Sequence, residues 1–203
     1  MSTRKDKFSK KDKKYMSLAL TLASVRHGFT GENPSVGCVI VKNDEIISIG
    51  QTGYNGRPHA EYNAIKNSNE SLEGSTMYVT LEPCNHYGQT PPCTKEIIKS
   101  KISKIIYSIE DVDKKVKGKS LKILKSKNVI VKKGLLNKNI INFYEPYFFN
   151  RINKMPYVTG KIAVSKNNII YSKATKRITD IHSDKLTHFL RYKNDSLMIT
   201  YKT

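Results

Sequence analysis

Residues 76–93 read TMYVTLEPCNHYGQTPPC, and this stretch decides the fold. Thr76 to Leu81 is a short β-rich run, Cys84 follows in a loop, and Pro91-Pro92 then open a helix that begins at Cys93 and runs through Ile97 and Ile98. A strand that ends in a loop and passes straight into a helix start puts two thiols near one point. The same grammar recurs upstream, where Pro58 precedes a helix expected to start near His59 and to run through Ala60, Ala64 and Ile65.

Working outward, Tyr15, Leu18, Ala19, Leu22 and Val25 recur at helical spacing, with Asp12 as the expected N-cap and Gly28 as the stop. Val36–Val41 and Glu45–Ile49 read as a hairpin closed by Lys42, Asn43 and Asp44. Lys104–Ile109 and Val129–Val131 read as strands around a Lys-rich helix at about 118–126. This β, α, β alternation predicts a three-layer α/β/α sheet domain ending near residue 150. After Met155 the pattern restarts, with a strand expected at Tyr157–Val164, a helix at about 180–192 and a strand at Leu197–Ile199. The expected organisation is a basic tail over 1–14, a sheet domain over 15–150 and the beginning of a second domain over 151–203.

Three cysteines, at 38, 84 and 93, make an odd number too unevenly spaced for a disulfide framework. The charged N-terminus has no apolar signal region and no stretch is long enough to span a bilayer, so the expectation is a cytoplasmic protein without a membrane partner. The formal charge of +19 raises the question of nucleic acid, but its distribution answers differently. Residues 1–14, 101–138 and 150–203 carry +5, +9 and +8, whereas 15–100 carry −2 and 139–149 carry −1. The segment with the reactive residues is slightly acidic, which argues against a nucleic-acid groove there.

A catalytic zinc takes three imidazole or thiolate ligands and leaves one position to water, and His59, Cys84 and Cys93 supply such a set for one ion per chain. Glu61, two residues after His59, is a carboxylate able to move a proton without ligating the metal, and H-x-E followed by P-C is the signature of zinc-dependent deaminases. Here the second cysteine comes nine positions after the first rather than three, so Asn85–Pro92 loops out and brings His86 with it. Cys38, in an expected buried strand, reads as packing.

These segments resemble the deaminase domain of the bifunctional riboflavin-biosynthesis deaminase/reductase family. The resemblance is carried by Asn33-Pro34-Ser35-Val36-Gly37-Cys38-Val39-Ile40-Val41, Pro58-His59-Ala60-Glu61, and the long loop from Tyr78 to Cys93. It implies a cytidine-deaminase-like fold, and hydrolytic removal of a ring amine from a small phosphorylated pyrimidine, with Glu61 as proton shuttle. By position, Asn33, His86 and Gln89 match substrate contacts, although Asn33 before Pro34 also suits a plain turn, and Gln89 is neutral where the family commonly carries Lys or Arg.

After residue 155, Lys161–Ser165 and Ile178–Arg191 are similar to the start of the family's dihydrofolate-reductase-like domain, which uses NADPH. Ala163, Thr175, Arg177, Arg191 and Thr203 match its cofactor or sugar contacts, with Arg177 standing where Trp is usual. A complete reductase would need far more chain than this, so the expectation is deaminase chemistry alone. The other readings are a zinc deaminase acting on a base in RNA or on a free nucleoside, and a non-catalytic zinc or RNA-binding module; assembly into a homo-oligomer stays open.

Overall fold

The computed structural model describes residues 7–88, 90–114, 116–170 and 178–199. The chain divides into two compact units, Met1–Pro156 and Tyr157–Thr203.

The first unit opens with α1 (Lys10–Arg26), which turns Tyr15, Met16, Ala19 and Ala23 inward. Its N-cap is Ser9 rather than the expected Asp12. The Ser9 hydroxyl accepts from the Asp12 amide while the Asp12 carboxylate accepts from the Ser9 amide, a reciprocal capping box that places Asp12 three residues inside the helix. Strands β1 (Gly37–Lys42) and β2 (Glu45–Gln51) form the expected hairpin. Its turn residues Asn43 and Asp44 both hold positive φ, 51° and 67°, a conformation these two residue types tolerate. Next come α2 (Ala60–Lys66), β3 (Thr76–Leu81), α3 (Cys93–Lys99), β4 (Lys104–Ile109), α4 (Lys119–Ser126) and β5 (Ile130–Lys133).

The five strands order as β2-β1-β3-β4-β5, with β1 antiparallel to both neighbours and β3, β4 and β5 parallel. Helices cover both faces. Gly37 of β1 lies so close to α1 that a Cβ there would sit 1.8 Å from the Ala19 carbonyl oxygen, and Gly50 of β2 meets Ala60 and Ala64 of α2 in the same way. Because β1 runs against β3, the start of β1 and the carboxyl end of β3 share one end of the sheet, and the starts of α2 and α3 stand there too. Loops at the carboxyl ends of parallel strands are the usual place for chemistry in such a sheet.

The unit closes with α5 (Asn137–Asn153), which the sequence reading did not foresee. Tyr144 from this helix is fully buried; its hydroxyl donates to the Ser35 carbonyl at 2.8 Å and lies 2.7 Å from the Thr80 hydroxyl, which in turn accepts from the Gly37 amide. Tyr78, two residues before Thr80 and so on the same face of β3, donates to Asp12 of α1. Helices α1 and α5 therefore share one face of the sheet.

In the second unit the expected helix forms as α6 (Ile181–Tyr192), N-capped by the Asp180 carboxylate on the Ser183 amide. The strands expected at 157–164 and 197–199 do not form. A strand exists only through a ladder partner, and no sheet neighbour stands beside either segment among the described residues.

Candidate active site

His59 is the N-cap of α2, held in extended backbone geometry, and its side chain makes no capping bond. The imidazole turns instead toward two sulfurs, with Nδ1 3.3 Å from Cys93 Sγ and 3.5 Å from Cys84 Sγ. Cys93 is the first residue of α3, and Cys84 sits three residues past the end of β3. All three donor atoms lie within 4.8 Å of one another. The α3 start embraces Cys84 with two amides, Cys93 N–H to its sulfur at 3.3 Å and Thr94 N–H to its carbonyl at 3.1 Å.

Donation from Cys93 draws the Cys84 thiol far below its ordinary value, with the His59 imidazole helping. Cys93, which gives that hydrogen bond and is buried, is pushed up. Burial alone would lower His59, but its hydrogen bond to Cys84 and the charge of Glu61 outweigh this and raise it. One nitrogen and two sulfurs of this character fit zinc. At ordinary bond lengths a tetrahedral zinc sets a nitrogen and a sulfur donor about 3.6 Å apart, close to the two separations found.

Glu61 is in the first turn of α2 and only 4% exposed. Burial pushes its carboxyl up to about 7, with the pull of His59 offsetting this only in part. A carboxyl held near neutrality can both accept and release a proton.

Asn33 lies in the turn before β1, its carbonyl accepting from Thr30 Oγ at 2.7 Å, and its side chain packs against Gly56. His86, in the loop between the cysteines, has a buried Nδ1 without a hydrogen-bond partner. Gln89 lies outside the described residues, as do Thr175, Arg177 and Thr203. Ala163 sits in irregular chain and Arg191 is exposed on α6, both in the second unit. Cys38 is fully buried in β1, and burial raises its thiol.

Two residues that the sequence reading passed over also shape the site. Glu82, 3% exposed, accepts from the Gly118 and Ser120 amides at 3.0 and 3.3 Å, and Ser120 Oγ donates to the Pro83 carbonyl at 2.5 Å. Together they tie the start of α4 to the backbone that carries Cys84. Arg57, two residues before His59, donates to Thr90 Oγ at 2.7 Å in the loop between the cysteines.

The model of the cytidine and deoxycytidylate deaminase zinc-binding region matches residues 9–109. A diaminohydroxyphosphoribosylamino-pyrimidine deaminase of Buchnera aphidicola subsp. Schizaphis graminum is 44% identical over 138 residues, covering 68% of this chain and 94% of its own length. The chain belongs to this deaminase family.

Longer members extend past the deaminase domain. Riboflavin biosynthesis protein RibD of Aquifex aeolicus is 36% identical over 194 residues, which is 95% of this chain and 54% of RibD. The crystal structure of the diaminohydroxyphosphoribosylaminopyrimidine deaminase/5-amino-6-(5-phosphoribosylamino)uracil reductase of Thermotoga maritima superposes with a TM-score of 0.81 at 33% identity, covering 88% of this chain and 52% of that one. The chain thus spans about half the length of the RibD relatives it matches. The sheet and helices described above are accordingly the cytidine-deaminase-like fold of this deaminase family. No helix among the described residues is long and apolar enough to cross a membrane.

Proposed function

We propose that the chain hydrolyses the ring amine of a diaminohydroxy-phosphoribosylaminopyrimidine, releasing ammonia and the corresponding amino-phosphoribosylamino-uracil, as a step of riboflavin biosynthesis. The observation that carries this reading is the convergence of His59 Nδ1, Cys84 Sγ and Cys93 Sγ within 4.8 Å, beside the buried carboxyl of Glu61. The names of its relatives supply the substrate.

His59, Cys84 and Cys93 would hold one zinc per chain. Such an ion supplies a water whose pKa is lowered toward neutrality. Glu61 would accept a proton from the attacking water as that oxygen bonds to the ring carbon, and would return a proton to the amine nitrogen as the carbon–nitrogen bond breaks. One C–O bond forms and one C–N bond is lost, with no change of oxidation state. The Cys93 amide donates to the Cys84 sulfur and favours its anionic form, and the Thr94 amide fixes the Cys84 carbonyl. Asn33 and His86 are the candidate contacts for the pyrimidine edge or its sugar, a reading supported for His86 by a buried Nδ1 that no hydrogen bond among the described residues uses. Gln89 is a further candidate contact. The proposal covers the deaminase step only and assigns no NADPH chemistry to residues 157–199.

The test is ammonia release by zinc-loaded protein from the phosphoribosylaminopyrimidine, with cytidine as control. The expected result is release from the first substrate only, lowered about a hundred- to ten-thousandfold by Glu61→Ala, the range that loss of acid-base catalysis gives. Zinc binding without turnover would overturn the assignment.

A further inference from the structure

We infer that Arg57 is the cation that receives the substrate's phosphate, and so sets the preference of this site for a nucleotide over its phosphate-free counterpart. The inference rests on the deaminase reading above, whose substrate is phosphorylated.

Six basic residues lie between positions 15 and 100: Arg26, Lys42, Arg57, Lys66, Lys95 and Lys99. Arg26 stacks on Tyr54 at 3.9 Å, Lys42 donates to the Ser71 carbonyl, and Lys66 and Lys99 stand in the last turns of α2 and α3, away from the helix starts that carry the site. The loop over 85–92 contains no Lys or Arg. Among the described residues, the cations hydrogen-bonded to it are Arg57, through Thr90, and Lys95, through the Tyr87 hydroxyl at 3.1 Å. Lys95 is exposed on the outside of α3.

Arg57 is different in three ways. It is half-buried and stands two residues before His59, the N-cap of α2. No carboxylate among the described residues pairs with it. Its planar fork offers five donors and Thr90 uses one, which leaves a guanidinium edge suited to bidentate recognition of phosphate. Gly88 of the same loop lies beside the guanidinium, with the place of a Cβ 3.2 Å from Nη2, so this position presents no side chain to it. A half-buried positive charge without a partner is costly, and an anionic substrate would supply the partner.

The test compares kcat/KM for the phosphorylated substrate with that for the same compound after phosphatase treatment, in the zinc-loaded full chain. Arg57→Ala should lower the ratio of the two by about ten- to a hundredfold, the range for a lost charge-assisted hydrogen bond. Arg57→Lys should retain much of the preference, and Arg57→Gln, which removes the charge but keeps a polar donor, should lose it; this variant also serves if the alanine form fails to fold. Thr90→Val and Lys95→Met should keep the ratio. An unchanged ratio in both Arg57→Ala and Arg57→Gln overturns the inference. So does equal loss in Thr90→Val, which would make Arg57 a loop tie, or loss in Lys95→Met. Wild-type protein that turns over neither compound would instead overturn the deaminase reading beneath it, whereas turnover of both without preference would overturn the inference alone.

Discussion

Asp12 shows how much one carboxylate can do far from the site. Burial would raise it, but the Tyr78 hydroxyl and the hydrogen bonding with Ser9 outweigh burial and hold it below its ordinary value. A lowered folded pKa means stability that is complete above the unfolded value and lost as the pH falls through the folded one. Asp12→Asn should therefore cost about 1 kcal/mol at pH 7, the scale of a helix cap. The gap from wild type should close in melts run below about pH 4, where a free Asp protonates. Gly56 acts nearer the chemistry. Its φ is +85° and an added Cβ would lie 2.3 Å from Asn33 Nδ2, so Gly56→Ala must displace Asn33. Steady-state kinetics should show KM raised more than kcat is lowered, with zinc retained. At this scale the grouping of His59, Cys84 and Cys93 was legible, because His59 and Cys93 stand at helix starts and Cys84 follows directly on β3. Arg57 and Glu82 were not, since Thr90 lies 33 residues from Arg57 and the amides that hold Glu82 lie 36 and 38 residues from it.

Between elements, the decisive joints are polar ties rather than apolar area. Glu82 fixes the end of β3 to the start of α4, and the backbone it steadies leads within two residues to Cys84. Glu82→Ala should weaken zinc retention about tenfold in competition with a chelator, the usual effect of removing a group that orients a ligand. Tyr144 joins α5 to both β1 and β3 through Ser35 and Thr80, and so steadies the turn that carries Asn33. Tyr144→Phe leaves these buried partners short of a hydrogen bond. It should cost about 1–3 kcal/mol, or roughly 2–10 °C in Tm for a chain of this size, readable by thermal melt. Helix α5 itself was missed although Ile140, Phe143, Tyr144, Tyr147 and Phe148 recur at helical spacing. Pro146 inside it and Asn at 137, 139 and 142 obscured the pattern. The strands of the sheet were legible because each run is β-branched and bounded by turn residues. The runs at 157–164 and 197–199 carry the same local signal and form no strand, because pairing is a property of the partner and not of the run.

Across the whole chain, the excess positive charge falls in segments other than the one that carries the zinc-ligand set. Residues 15–100 carry −2 within a total of +19, a distribution that draws anionic solutes toward the protein while leaving local recognition to single groups such as Arg57. That distribution is legible in the sequence alone, but residues 10–14, read as part of a basic tail, form the start of α1, where Asp12 is buried and accepts from Tyr78 of β3. Sequence alone could not show which cation faces the loop between the cysteines, because loop packing follows from tertiary contacts. The most direct test of the account is to strip the protein of metal, add zinc in steps, and follow ammonia release from the phosphoribosylaminopyrimidine against zinc bound per chain. The account predicts no release from the metal-free protein and a linear rise to a plateau at about one zinc per chain, abolished by Cys84→Ser or Cys93→Ser. Full turnover in the metal-free protein, or none at full zinc occupancy, would contradict it.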